Sequence, residues 1–448
     1  MSTMSTGDAR VDAALAALAG EDPGAADAAR AGFEALSFGE GMSAVTMHAL
    51  ADFLWHRLPA RWRCDVAQKF RIADALGRLF SRVDKVRYAA MCHSPATGAI
   101  LAAYHRHGEA AGFSAYRKAL AATGVQPPDV PGGLAWGSVM GTEEAVAYWS
   151  ASRALERAIE SGQLVPGVRG WRRTALEITT RFLDRPHPQV PGTTWRLWLQ
   201  TERLEQFTET GGPTRTRLAR AVADTLVNPL PVPAGAAQRL APLRWLLDLA
   251  ADGAPLTANG TLARALVADG CRRFDWLTPT GNPRSEYDIP ELVTLRELVK
   301  QMGSVRRSGR RLLLSRHGAT LHTAGDDDLW ETTMSHLLDP GDGEAAAGEL
   351  ALMLLLAGTR LSYQEFNTAV AAALAEEGWC GGRTGQPVGA DHAAPLLAPL
   401  RRRLWLLDLH ADRGLGEPAV LNEAGRAAAH TALRAHALRP RNRLDLVD

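Results

Sequence analysis

The sequence predicts a mainly α-helical protein in which an N-terminal helical region precedes two modules that each carry a short β-hairpin. Three observations predict it. The first is the stretch Glu291 to Thr320. Leu292, Leu295, Leu298, Val299 and Met302 recur there at steps of three and four, so Glu291 to Met302 reads as an amphipathic helix with one buried stripe, stopped by Gly303. Two β-prone runs follow, 304–307 and 310–315, divided by Ser308-Gly309, a two-residue loop whose glycine accepts the positive φ of a tight hairpin. Another helix starts near Gly318.

The second observation is a near repeat. Trp245-Leu246-Leu247-Asp248-Leu249-Ala250-Ala251-Asp252 recurs at 405–412, differing only at the sixth residue, His410. Each copy leads to a Leu-x-x-x-Gly step, Leu256 to Gly260 and Leu421 to Gly425, and Leu314 to Gly318 has the same step. Thr257, Ser315 and Asn422 follow the leucines and are residue types that cap helices. A duplicated unit retains its buried stripe, so the two Trp-Leu-Leu-Asp-Leu helices are expected in equivalent positions, with a second hairpin near 418–422. The match carries an offset: Leu-Ala-Pro-Leu-Arg precedes both copies, but Arg402, Arg403 and Leu404 are extra in the second.

The third is the placing of chain breaks between helical segments. Residues 1–40, rich in Ala, Gly and Asp, read as one short helix and a flexible, poorly packed segment. Residues 41–230 read as an all-helical domain with a bulky core of Trp55, Trp62, Phe70 and Phe80, interrupted by QPPDVPGG at 126–133. NPLPVPAG at 228–235 holds three prolines that forbid regular structure, and the main boundary is expected there. One module then spans 236–340 and a second, with its preceding helices, 344–448.

Composition narrows the function classes. A chain of 448 residues buries a large core, and its formal net charge of +1 leaves any affinity for nucleic acid to a local patch. Four scattered cysteines, Cys64, Cys92, Cys271 and Cys380, suit neither a metal C-x-x-C nor a disulfide-stapled secreted chain. The N-terminus lacks the basic-then-apolar order of a signal peptide, and the most apolar run, 350–357, is far short of the roughly 20 residues a bilayer needs. A cytoplasmic protein with no membrane association is expected.

No phosphate loop, His-Glu-x-x-His helix or Gly-x-Ser-x-Gly elbow is present, so no cofactor, metal or catalytic residue is expected. Cys92-His93 lies near His105 and His107, but two histidines two residues apart diverge by about 200° on a helix. Asp326, Asp327 and Asp328 precede an apolar run and read as the acids of a helix N-terminus rather than cation ligands. Trp195, Trp198 and Phe207 fall at helical spacing and read as core rather than as a base-stacking platform. Arg306, Arg307, Arg310 and Arg311 flank the hairpin turn, and a second basic segment holds Arg426, Arg434, Arg439, Arg441 and Arg443 with no acid from 424 to 444. Either group suits phosphate contact.

At these residues the chain resembles the winged helix-turn-helix superfamily, in the style of actinobacterial proteins that carry such modules after an all-helical region. The resemblance covers roughly 240–338 and 397–448 and implies two winged-helix-like modules. It implies a non-enzymatic DNA-binding regulatory protein: double-stranded DNA as partner, the nine arginines above as the contacts, and the N-terminal helices for a homodimer or protein partner. One departure stands out. The helix that would enter the major groove sets Glu291 and Glu297 against Arg296 and Lys300, with no net charge to relieve phosphate repulsion. A protein-interaction scaffold on winged-helix modules is the alternative, and an enzyme without local motif in the N-terminal half is the third reading.

Overall fold

The computed structural model describes residues 6–130, 134–276, 283, 285–338, 340–358, 360–381, 385–411 and 420–440. They are mainly helical, and the largest sheet among them has three short strands. Two compact units are formed, one up to Leu199 and the other from Gln200 to Pro440.

The first unit contains α1 (Thr6–Glu21), α2 (Pro23–Ser37), α3 (Met47–Asp52), α4 (Leu58–Arg61), α5 (Val66–Arg82), α6 (Val86–Cys92), α7 (Pro95–Thr123), α8 (Thr142–Glu160), α9 (Trp171–Leu183) and the start of α10 (Trp195–Glu209). From Thr6 onward, residues 1–40 are not the flexible segment expected from their composition. Asp22 caps α2 by accepting the Ala25 N–H at 3.0 Å, with Pro23 in the first turn. Small residues, which weaken the sequence signal, let α2 approach closely: a Cβ on Gly32 would stand 3.1 Å from the Ile72 and Leu76 side chains of α5. Phe33 and Leu36 complete that contact in the core.

Two further features position the middle of this unit. Gly108, at φ 84°, breaks the helical path inside α7, a conformation that a Cβ disfavours. The Glu156 carboxylate of α8 is buried and accepts both the Met47 N–H that opens α3, at 3.2 Å, and the Tyr88 hydroxyl of α6, at 2.8 Å. Burial raises the Glu156 pKa, while these donors oppose the rise.

The second unit continues with α11 (Pro213–Leu226), α12 (Ala236–Ala251), β1 (Ala254–Pro255), α13 (Arg264–Phe274), α14 (Pro290–Gln301), β2 (Val305–Ser308), β3 (Arg311–Leu314), α15 (Arg316–Thr323) and α16 (Asp326–Ser335). It ends with α17 (Asp342–Leu356), α18 (Tyr363–Glu376), β4 (Cys380–Gly381), β5 (Gln386–Pro387), α19 (Ala390–Leu406) and α20 (Glu423–Ala437). The unit begins upstream of the boundary expected at 228–235. The reason is that Leu218, Val222 and Leu226 of α11 enter the same core as Leu240 and Leu243 of α12, so the prolines link two helices of one unit.

β1, β3 and β2 form an antiparallel sheet in that order, with Ala254 opposite Leu312 and Val305 opposite Leu314. The hairpin expected at 304–315 is present, with its turn one residue further on. Ser308 pairs with Arg311, so Gly309-Arg310 is the loop. Only its first residue carries a positive φ, 58° at Gly309, the pattern of a type II′ turn. Near 418–422 there is a single antiparallel bridge, His410 with Leu421, and residues 412–419 lie outside the described set.

The expected equivalence of the two Trp-Leu-Leu-Asp-Leu segments does not hold. The first lies wholly within α12, with Trp245 buried and its Nε1 donating to Asp269 at 3.2 Å. The second straddles a helix end: Leu406 closes α19, Asp408 takes a left-handed φ of 52°, and Leu409 is already in the following bridge region. Trp405 is 48% exposed. The three extra residues ahead of the second copy move it along the helix.

What corresponds to the end of α19 is the end of α14. Ser304 N–H returns to Val299 O at 3.0 Å and Leu409 N–H to Leu404 O at 2.9 Å, each after one left-handed residue, Gly303 or Asp408. Ser315 and Asn422 then cap α15 and α20 by accepting the N–H of Gly318 and Gly425, at 2.9 and 2.8 Å. Thr257 caps no helix; it makes a turn in which its carbonyl accepts the Gly260 N–H at 3.0 Å.

Candidate nucleic-acid interface

The hairpin presents what the sequence placed there. Arg306, Arg307, Arg310 and Arg311 are all exposed. The Arg307 Nε donates to the Gly309 carbonyl at 2.9 Å, which braces the turn from one strand. Lys300, at the end of α14, and Arg316, at the start of α15, are exposed as well. Between positions 298 and 325 there are six Lys or Arg and no Asp or Glu. None of these six cations has an ion-pair partner among the described residues.

The helix ahead of the hairpin is far less available. Leu292, Thr294, Leu295, Leu298 and Val299 of α14 are buried. α14 packs on α19, and Arg402 of α19 reaches Glu297 at 4.0 Å while Arg296 turns to Glu286 at 3.7 Å. The carbonyls after α16 draw on the same pair of helices: Gln301 Nε2 donates to Leu338 O at 2.7 Å and the buried Arg403 donates to Leu337 O at 3.0 Å. α14 is therefore a core helix whose exposed residues are Pro290 in its first turn, Glu297 and Lys300.

The C-terminal arginines are used differently. Arg426 donates to Leu356 O at 3.4 Å and Arg439 to Ser335 O at 3.0 Å, so both hold the ends of neighbouring helices. Arg434 is half-buried, and desolvation lowers its pKa, with Glu331 opposing. Arg441 and Arg443 lie outside the described residues.

The other candidates resolve into structure. Cys92 is buried at the end of α6, and burial pushes its thiol up to about 12. His93 meets Asp74 at 3.3 Å, and His105 and His107 are exposed. Trp195 packs on Phe182 at 5.6 Å between ring centres, Trp198 donates to Glu143 at 3.1 Å, and Phe207 is buried. Asp326 opens α16 and pairs with Arg244 at 2.7 Å. Among the described residues no cluster of His, Cys, Asp or Glu is arranged to hold a metal ion, and no helix is long and apolar enough to cross a membrane.

Sequence reasoning missed an aromatic cavity of about 850 Å³ in the first unit. Its walls come from α3, α7, α8, α9 and residues of 126–129 and 136–140, so no local motif announces it.

No protein family, curated protein or solved structure matches the chain.

Proposed function

We propose that the protein is a non-enzymatic, DNA-binding regulatory protein whose second unit carries winged-helix-like modules, and that it grips duplex phosphates chiefly through the β2–β3 hairpin. The order α12-β1-α13-α14-β2-β3, with β3 between β1 and β2, supports the winged-helix reading. The observation that carries the DNA reading is the run of six exposed cations around the hairpin with no carboxylate to neutralise them. Exposed guanidiniums on a short, braced turn make a projection suited to a phosphate backbone, whose neutralisation releases counterions whatever the base sequence.

Burial of α14 changes the expected mode. A helix whose stripe is covered by α19 offers the major groove little, so binding is led by the wing and is weakly sequence-dependent. The same burial favours a second reading, a scaffold that binds protein through the half-exposed Trp405 and the adjoining cavity of about 310 Å³. Fluorescence anisotropy of a labelled short duplex at low salt separates the two. Binding that an unlabelled duplex of unrelated sequence displaces supports the DNA reading, and the absence of binding favours the scaffold.

A further inference from the structure

The aromatic cavity of the first unit has the chemistry of a ligand site. Its volume of about 850 Å³ falls in the range of roughly 300–1,000 Å³ typical of small-molecule pockets. Tyr148, Trp149, Trp136 and Trp171 give it several aromatic faces from separate elements. Trp149 is 39% exposed although it is a large hydrophobic residue, and it stands edge-to-face on His48 with 4.7 Å between ring centres. Such surfaces favour a flat π-system.

The charges of the wall specify the rest of the ligand. Arg117 and Arg172 are exposed and have no ion-pair partner among the described residues; Arg172 lies over the Trp171 ring at 5.4 Å. Opposing them is one carboxylate, Asp129, whose Oδ1 already accepts the Trp136 N–H at 2.9 Å. Two guanidiniums against one engaged carboxylate favour an anion, and a carboxylate matches the guanidinium fork.

His48 supplies a polar contact. It is 5% exposed, and desolvation holds its pKa down to about 4, so the ring is neutral at neutral pH. The Ser152 hydroxyl donates to Val125 O at 2.7 Å, which commits its proton. Nδ1 lies 3.5 Å from the same oxygen, and the tautomer that donates to it carries Nε2 as an acceptor on a ring that lines the cavity. We propose that this cavity binds a planar aromatic carboxylate bearing a hydroxyl or N–H donor: rings against Trp149 and Trp171, carboxylate at Arg117 or Arg172, donor to His48 Nε2. The site is independent of the hairpin and of any role in DNA binding.

Calorimetric titration of the full chain with 6-hydroxy-2-naphthoate, 2-naphthoate and 2-naphthol tests it. The hydroxy acid is expected to bind one-to-one at micromolar concentration. 2-Naphthol, without the carboxylate, should bind at least about tenfold more weakly, and 2-naphthoate, without the donor, several-fold more weakly. Replacing Arg117→Ala and Arg172→Ala together should remove the advantage of the acid over the naphthol, and His48→Phe the advantage of the hydroxyl. No saturable binding of the hydroxy acid up to millimolar concentration, or equal binding of acid and naphthol by the wild type, overturns the proposal. Those comparisons stand even if a variant fails to fold.

Discussion

Ser304 and Leu409 are counterparts: the carbonyl oxygen of each accepts the N–H of a helix-capping residue, Ser315 at 2.9 Å and Asn422 at 3.2 Å, and each oxygen lies against a glycine of the helix so capped. A Cβ built on Gly318 would collide with the Ser304 oxygen, and one on Gly425 with the Leu409 oxygen. Backbone on both sides of the contact leaves no flexible side chain to move aside. Gly318→Ala and Gly425→Ala should therefore each cost on the order of 1–3 kcal/mol, as overpacking does. Gly325→Ala, with nothing within 4 Å of the added carbon, gives up only the preference of the α16 N-cap for glycine over alanine and should cost less than about 1 kcal/mol. Urea unfolding of the three variants checks this, and a Gly318→Ala protein as stable as Gly325→Ala would contradict it.

The buried ion network of the second unit gives another prediction. Arg215 of α11 pairs with Glu349 of α17, donates to Phe207 O at 2.9 Å, and lies 3.7 Å from Glu377. His436 of α20 reaches the other oxygen of Glu349 at 2.7 Å. Arg215 and Glu349 are each about 4% exposed, so removing one strands the other's charge away from water. Glu349→Leu alone should destabilise the unit by about 3–5 kcal/mol, and adding Arg215→Met should restore a large part of it. The readout is a double-mutant cycle in denaturant. Additive losses would show that the pair is not coupled.

Contacts between near neighbours are legible in the sequence, and contacts between distant elements are not. The stripe of Leu292, Leu295, Leu298 and Val299 and the glycine of the hairpin depend on near neighbours, and both were found, the turn only one residue out. The Leu-x-x-x-Gly step at 314 and 421 was also local and corresponds in the structure. The longer Trp-Leu-Leu-Asp-Leu match misled, because identity of letters says nothing of where a helix ends, and Asp408 ends α19 where Asp248 continues α12. Burial of α14 and the aromatic cavity arise from elements far apart in sequence, and one chain's periodicity does not say what covers a face.

Acid should weaken the first unit through His48. The ring faces Ser152, Tyr148 and Trp149, and burial lowers its pKa from 6.5 to about 4. Between those values the unfolded chain takes up a proton that the folded ring refuses, so stability falls with pH, by up to about 3 kcal/mol at about pH 4. Glu156 acts in the opposite sense, since its raised pKa costs stability as pH rises above the ordinary range of a glutamate. The His48 contribution is therefore read from the ring itself, by its NMR titration in the folded protein. A midpoint near 4 agrees, and one near 6.5 would remove this source of acid sensitivity.

Phosphate contact by the hairpin arginines is read from duplex binding as a function of salt for the wild type and for the combined alanine variant of Arg306, Arg307, Arg310 and Arg311. Each phosphate contact contributes about 0.9 to the log-log slope, so losing four contacts should flatten it by up to about 3.6 units. Circular dichroism should be unchanged, because all four side chains are exposed. The wild type should bind in a salt-sensitive way and the variant more weakly, with a flatter dependence; equal slopes and affinities, or no binding by the wild type at low salt, would rule out a hairpin that grips phosphates.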